Sequence, residues 1–256
     1  NIIYENMKIK KLINLFLLPI FILTLSSSFI KADLSIKDFN LDDVLNNGRE
    51  LMDLNYGLHH LEDSSSDQNI LFVGVHGANS EGYEWIYPFI TIDTDATLTS
   101  FFRYNDGFCP NSAYLKLHAE IDNILSKNQN IKEVIVMGHS YGAMVVSMFS
   151  DKWINNIPLS IHTVAGPLTG PVSTSLRSSL FKNICSYYSP KTLMSNVNFF
   201  QWRTIKELDG AFQDLEYDPQ VIELQGSKVV RLPKTYNNRR LGHNWSLSWV
   251  ADQLTK

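Results

Sequence analysis

Residues 131–142 read IKEVIVMGHSYG, an apolar, β-branched run that leads directly into the pentapeptide GHSYG. The apolar run predicts a strand that is buried on both faces of a sheet. The residues after the pentapeptide share one apolar face, which predicts a helix, and that face is formed by Met144, Val145, Met148 and Phe149. The pentapeptide therefore lies at a sharp turn from a buried strand into a helix.

Ser140, at the centre of this turn, is the candidate nucleophile. A residue at such a strand-to-helix turn has strained backbone geometry, and side chains two positions before or after it would collide with the neighbouring strand or helix. Gly138 and Gly142 remove those collisions, since glycine has no Cβ. The start of the helix also provides backbone N–H groups and a dipole that stabilise negative charge developing near the serine.

The rest of the chain predicts an α/β fold with a mostly parallel central sheet and helices on both faces. Apolar strand-like runs alternate with helical patterns, including one at residues 117–125 and a final one starting near Trp245. This organisation predicts one domain, residues 33–256. The candidate strands are residues 70–76, 131–137, 157–164, 197–202 and 229–232.

Residues 1–32 are predicted to be upstream sequence followed by a signal peptide. Met7 precedes three lysines, a mostly apolar stretch at 12–25 and a serine-rich stretch ending at Ala32. Cleavage after Ala32 would give a secreted or periplasmic protein. A retained membrane anchor is the alternative, because the apolar region up to Ile30 is nearly long enough to span a bilayer.

Two cysteines, Cys109 and Cys185, are consistent with export, because an oxidising compartment would allow them to pair. The alternative is two buried free thiols, and the sequence leaves both interpretations open.

Charge and motif content exclude several classes of function. The chain has 22 Lys and Arg residues and 26 Asp and Glu residues. Arg239-Arg240 is only a pair of basic residues, which is typical of a solvated loop. We therefore expect no nucleic-acid partner. No spacing typical of zinc or calcium ligands is present, and His59-His60 lacks an H-E-x-x-H frame. No glycine-rich phosphate or dinucleotide loop occurs either, so we expect no metal and no cofactor.

A second motif, together with the turn at Ser140, resembles those of a known protein family. His76-Gly77 ends the strand-like run at 70–76. From about residue 70 to 254 the chain resembles the α/β-hydrolase superfamily, especially small secreted lipases and esterases. The resemblance implies an oxyanion hole formed by the backbone N–H groups of Ala78 and Tyr141. No Gly-Gly-Gly extension follows His76, so the resemblance does not extend to a wide oxyanion hole.

The chain order of that superfamily, nucleophile, acid and then histidine, implies the general base. Only His162 and His243 follow Ser140. His162 lies within a strand-like run and leaves little room for an acid before it. His243 lies in a loop directly before the last predicted helix, where the family places its base.

The same chain order implies an acid between Ser140 and His243. Several carboxylates follow the strand-like run at 197–202, and a carboxylate just beyond a strand suits the task of orienting the imidazole. Asp209 is our choice, because residues 208–212 resemble the family's acid loop, with an apolar residue three positions after the carboxylate. Asp214 is the alternative.

These residues predict a serine hydrolase that cleaves a carboxylic ester or thioester through an acyl-enzyme on Ser140. Aromatic residues suggest an apolar acyl group, and core packing is the alternative interpretation of Tyr141, Tyr187, Tyr188, Phe199 and Phe200. The alternatives are amide hydrolysis and a catalytically silent scaffold that binds a ligand. Residues 173–195 are either a lid or an irregular connection. As a partner, a lipase-like protein could also contact a membrane surface transiently.

Overall fold

The computed structural model describes residues 34–170, 185, 187 and 189–256. Among these residues, seven strands form one sheet in the order β1-β3-β2-β4-β5-β6-β7. All neighbouring strands are parallel except β1, which is antiparallel to β3. The strands are β1 (Gly57–His60), β2 (Ile70–Val75), β3 (Thr97–Arg103), β4 (Glu133–His139), β5 (Leu159–Val164), β6 (Val197–Arg203) and β7 (Lys228–Arg231).

A small second sheet pairs β8 (Thr235–Tyr236) with β9 (Arg239–Arg240) in an antiparallel hairpin. The helices are α1 (Val44–Asp53), α2 (Tyr83–Ile92), α3 (Pro110–Lys127), α4 (Tyr141–Ser147) and α5 (Ser246–Leu254). Short 3-10 helices lie at Ile36–Asp38, Leu41–Asp43 and Lys206–Leu208. No helix within the described ranges is long and apolar enough to cross a membrane.

Helices cover both faces of the sheet, as the sequence predicts. Helices α3 and α4 pack together over one face, and α2 and α5 pack together over the other. The side chains of β2 alternate accordingly: Leu71 and Val73 join the apolar cluster under α3 and α4, while Phe72 joins the cluster under α2 and α5. This two-faced burial explains why β2 is a continuous apolar run in the sequence.

The five predicted strands are present, with ends shifted by up to about two residues. The strand predicted at 131–137 spans Glu133–His139. Strand β3 was not predicted, because Thr97, Thr99 and Ser100 give it a mixed composition although all three are buried. The Ser140 turn follows directly from the end of β4, at the edge of the sheet where the carboxyl ends of the parallel strands meet.

The two cysteines are paired in a disulfide between Cys109 and Cys185, which are 76 residues apart in the sequence. Cys109 lies immediately before α3. The leader predicted at residues 1–32 lies outside the described residues, as does most of the stretch 173–195 for which a lid was considered.

Candidate active site

Ser140 occupies a strained turn between β4 and α4. Its backbone has φ 53° and ψ −118°, a conformation that costs energy for any residue other than glycine. The turn is held by the Ser140 N–H, which donates to the carbonyl of Val164 at 2.9 Å. A Cβ at Gly138 would lie 2.3 Å from the Gly142 carbonyl oxygen, and a Cβ at Gly142 would lie 2.2 Å from the Val75 carbonyl oxygen. Both glycines are therefore required by close backbone contact.

The loop after β2 approaches Ser140 closely. A Cβ at Gly77 would lie 2.9 Å from the Cβ of Ser140, so only glycine fits at this position. Ala78 follows in an exposed turn. Tyr141 is the first residue of α4, where no helical carbonyl is available to its N–H. The two backbone positions predicted as oxyanion donors are thus on the segments that flank the serine.

His76 fixes the start of this loop. Nε2 accepts the backbone N–H of Tyr104 at 3.3 Å, so we assign the proton to Nδ1, which donates to the Gly77 carbonyl at 2.8 Å. The Tyr104 hydroxyl donates to the His76 carbonyl at 2.8 Å. Burial lowers the pKa of His76 to about 4, so the ring stays neutral and keeps this tautomer at neutral pH.

Asp209 and His243 form a buried pair. Nδ1 of His243 lies 2.9 Å from Oδ1 and 3.0 Å from Oδ2 of Asp209, whose side chain has no exposed surface. The carboxylate also accepts the hydroxyl of Thr204 at 2.5 Å and the N–H of Ala211 at 2.9 Å. Burial opposes ionisation of Asp209, but the hydrogen bond and charge of His243 and these two donors hold its pKa below the usual value. An ionised Asp209 only accepts, so Nδ1 of His243 carries a proton.

His139, the residue before Ser140, connects the turn to His243. Its Nε2 lies 3.1 Å from the carbonyl oxygen of His243, which can only accept, so we assign the proton to this nitrogen. The two imidazole rings are 4.7 Å apart. Phe212 presents its ring to the imidazole of His243 in a T-shaped contact at 5.1 Å. These contacts place the His243 loop beside the turn that carries Ser140.

Among the hydrogen bonds of the described residues, none joins the Ser140 hydroxyl to the His243 imidazole. Such bonds are often long in free enzymes and tighten only when the substrate binds. Asp209 therefore contacts His243 directly. His243 is connected to the turn of Ser140 by the hydrogen bond between its carbonyl and the His139 ring.

Other candidates from the sequence lie elsewhere. Asp214 is exposed in a loop, without a hydrogen bond to His243. His162 is buried in β5, where its Nδ1 accepts the indole N–H of Trp202 at 3.0 Å. Phe199 belongs to the core and Phe200 stacks on His162, so neither supports an acyl pocket. Tyr188 lies outside the described residues.

Sequence reasoning missed the supporting residues. Thr204 donates a hydrogen bond to Asp209, Tyr104 donates one to the His76 carbonyl, and the His139 ring donates one to the His243 carbonyl. Only His139 had a local signal, since it is part of the pentapeptide. No group of three or more His, Cys, Asp or Glu within the described residues could hold a metal ion.

No family model and no curated protein matches the chain. Similar solved structures include Est1E from Butyrivibrio proteoclasticus, which is 12% identical over 74% of this chain and 86% of that one, with a TM-score of 0.47. The Pyrococcus furiosus esterase PF2001 is 14% identical over 75% of this chain and 80% of that one, with a TM-score of 0.48. The thioesterase domain from the curacin biosynthetic pathway is 12% identical over 79% of this chain and 98% of that one, with a TM-score of 0.49.

Because all three TM-scores are below 0.5, we assign the fold from the strand order and turn geometry of this chain. The sheet is mostly parallel, helices cover both faces, and the strained serine turn follows the central strand β4. Together these features give the chain a shortened α/β-hydrolase fold.

Proposed function

We propose that the protein is a serine hydrolase that cleaves a carboxylic ester or thioester through an acyl-enzyme on Ser140. The observation that carries this proposal is the Asp209–His243 pair, held through His139 against the strained turn of Ser140. A buried carboxylate that fixes one imidazole nitrogen leaves the other free to accept a proton, which is the arrangement a serine nucleophile requires.

The reaction begins when Oγ of Ser140 attacks the substrate carbonyl carbon and its proton passes to Nε2 of His243. The N–H groups of Ala78 and Tyr141 donate to the oxyanion of the tetrahedral intermediate. The bond to the leaving group then breaks as His243 returns the proton to the leaving oxygen or sulfur. Water, activated by the same imidazole, hydrolyses the acyl-enzyme and restores Ser140.

Asp209 has two tasks in this mechanism. It holds His243 in the tautomer with the proton on Nδ1, and it stabilises the imidazolium that forms when Ser140 loses its proton. The donors from Thr204 and Ala211 keep Asp209 ionised despite its burial. A neutral amide at this position could favour the other tautomer of His243, and it would not offset the charge of the imidazolium.

Labelling with a fluorophosphonate probe tests the nucleophile directly, since the probe phosphonylates activated serines. We expect the wild-type protein and Ser126→Ala, which changes an exposed serine on α3, to be labelled, and Ser140→Ala to be unlabelled. Folded wild-type protein that resists labelling would instead support a silent binding scaffold. Labelling that persists in Ser140→Ala would rule out this nucleophile.

The bond that is cleaved is tested with matched substrates. A series of p-nitrophenyl esters of increasing acyl length, compared with the corresponding thioesters and anilides, separates ester, thioester and amide hydrolysis. We expect the anilides to react slowest, because an amine is the poorest leaving group of the three. Faster turnover of anilides than of esters would assign the enzyme to amides.

We also propose that the protein is exported and that its leader is removed after Ala32. The Cys109–Cys185 disulfide supports this proposal, because such bonds persist in oxidising compartments. Intact-mass analysis of protein from a secreting host should give a chain that begins near Asp33 and lacks two thiol protons. A membrane-bound species that retains the leader would contradict it.

A further inference from the structure

A cavity of about 400 Å³ borders His243 on the side of α2 and α5. His243 lines it, whereas Ser140 does not. The volume lies within the range of sites that bind small molecules. The walls come from distant parts of the chain. They are formed by Val44, Tyr83, Glu84, Tyr87, Arg239, Arg240, residues 242–245 and Ser248. We call this space the arginine cavity, after Arg239 and Arg240 in β9.

The arginine cavity carries unpaired positive charge. No carboxylate lies within 4 Å of the guanidinium of Arg239 or Arg240 in the described part of the chain. Arg239 is held by the face of Trp245, with its guanidinium carbon 4.7 Å from the ring centre. This contact orients the cation without neutralising it.

The acidic residue in the wall forms no ion pair with the arginines. Glu84 is buried, and burial raises the pKa of its carboxyl. Its Oε1 accepts the hydroxyl of Ser80, and its Oε2 is buried without a hydrogen-bond partner. Neither oxygen pairs with an arginine, so the two guanidinium groups remain available to an anion.

The position of the cavity indicates which part of a substrate enters it. In serine hydrolysis the acyl carbon bonds to the serine, while the leaving oxygen takes its proton from the histidine. A space that is lined by His243 and not by Ser140 therefore suits the leaving group. Guanidinium groups bind carboxylates and phosphates through charge-assisted, often bidentate, hydrogen bonds.

We infer that the arginine cavity binds the leaving group of the substrate and selects esters whose alcohol carries a carboxylate or phosphate. This inference rests on the proposed serine-hydrolase function. In the step concerned, the bond between the acyl carbon and the alcohol oxygen breaks and His243 gives its proton to that oxygen. The anionic group stays on the departing alcohol, and Arg239 and Arg240 hold it there.

The test compares two acetate esters, 4-acetoxybenzoate and its methyl ester, whose alcohol parts differ in the carboxylate charge and in one methyl group. For the wild-type protein, kcat/KM should be at least about tenfold higher for the anionic ester, the size expected of charge-assisted hydrogen bonds. In the double variant Arg239→Gln/Arg240→Gln this ratio should fall by at least about tenfold. Lys234→Gln, which removes an exposed cation just before the same hairpin, should leave the ratio unchanged.

A second substrate pair moves the charge to the acyl side, 4-nitrophenyl hemisuccinate against 4-nitrophenyl butyrate. The double variant should not change that ratio. A wild-type preference for the neutral acetoxybenzoate, or a variant that alters only the acyl-side ratio, would overturn the inference. The wild-type comparison needs no variant, so it stands even if the double variant does not fold.

The failure of this inference is distinguishable from failure of the proposed function. If Ser140→Ala abolishes hydrolysis of both acetoxybenzoates and the wild-type protein does not prefer the anion, only the arginine cavity is wrongly assigned. If Ser140→Ala hydrolyses them like the wild-type protein, the serine mechanism itself is wrong.

Discussion

Nδ1 of His243 lies 2.9 Å from Oδ1 of Asp209, and this contact joins two loops that are 34 residues apart in the sequence. Asp209 has no exposed surface, while His243 keeps about 16% of its side chain exposed. The pair is therefore closed on the carboxylate side and open on the imidazole side. Solvent can reach the histidine ring, whereas it cannot reach the carboxylate.

Asp209→Asn should lower kcat by about a thousandfold or more, with the fold preserved. The amide can favour the wrong tautomer of His243 and cannot offset the charge of the imidazolium, and losses of this size follow when a triad carboxylate is made neutral. Steady-state hydrolysis of a p-nitrophenyl ester, with circular dichroism as the folding check, measures the effect. Asp214→Asn is the matched control, and a crippled control beside a normal Asp209→Asn would move the acid to position 214.

Gly142→Ala should lower the free energy of unfolding by about 1 to 3 kcal/mol, the usual cost of overpacking. The added Cβ would lie 2.2 Å from the Val75 carbonyl oxygen, so β2 and α4 would have to separate. Urea denaturation compares this variant with Gly210→Ala, where a Cβ meets nothing within 4 Å. Equal stability of the two variants would mean that the turn is not as tightly packed as described.

Acid should destabilise the fold through buried neutral histidines, and His162 tests this most simply. Burial lowers its pKa from 6.5 to about 3. Between those values the unfolded chain binds a proton that the native protein does not, so stability falls as the pH falls, by up to about 1.4 kcal/mol per pH unit. Protonation would also break the hydrogen bond that Nδ1 accepts from Trp202.

His162→Gln should therefore show a shallower loss of stability between pH 6.5 and 5 than the wild-type protein. Urea denaturation at a series of pH values measures the two slopes. An identical slope in both proteins would show that His162 is not held neutral by burial.

The sequence was most informative where the signal is local. Strand β4, the turn at Ser140 and helix α4 are adjacent in the chain, so an apolar run, two glycines and a periodic face were enough to predict them. Strand β3 was missed because its buried polar side chains form hydrogen bonds that no local pattern indicates, to the preceding loop and to residues distant in sequence. Ser100, for example, bonds to Nδ1 of His60 at 2.9 Å.

The same reason explains why the arginine cavity was not predicted. In the sequence Arg239-Arg240 is a pair of charges in a loop, and the pattern is typical of a solvated turn. Its surroundings come from α2, α5 and the hairpin of β8 and β9, and only the folded chain brings these together. The contact of Tyr104 with His76 is likewise tertiary, and the contact of Thr204 with Asp209, five residues along the chain, follows no motif.

The central claim, that Ser140 and His243 act as one unit, is tested most directly by comparing kcat in Ser140→Ala, His243→Ala and the double variant. Both residues serve the same proton-transfer step, so each single change should lower kcat by several orders of magnitude. The double variant should be little slower than either one, since the second change removes nothing that is still working. Near wild-type turnover in His243→Ala, or losses that multiply in the double variant, would contradict the account.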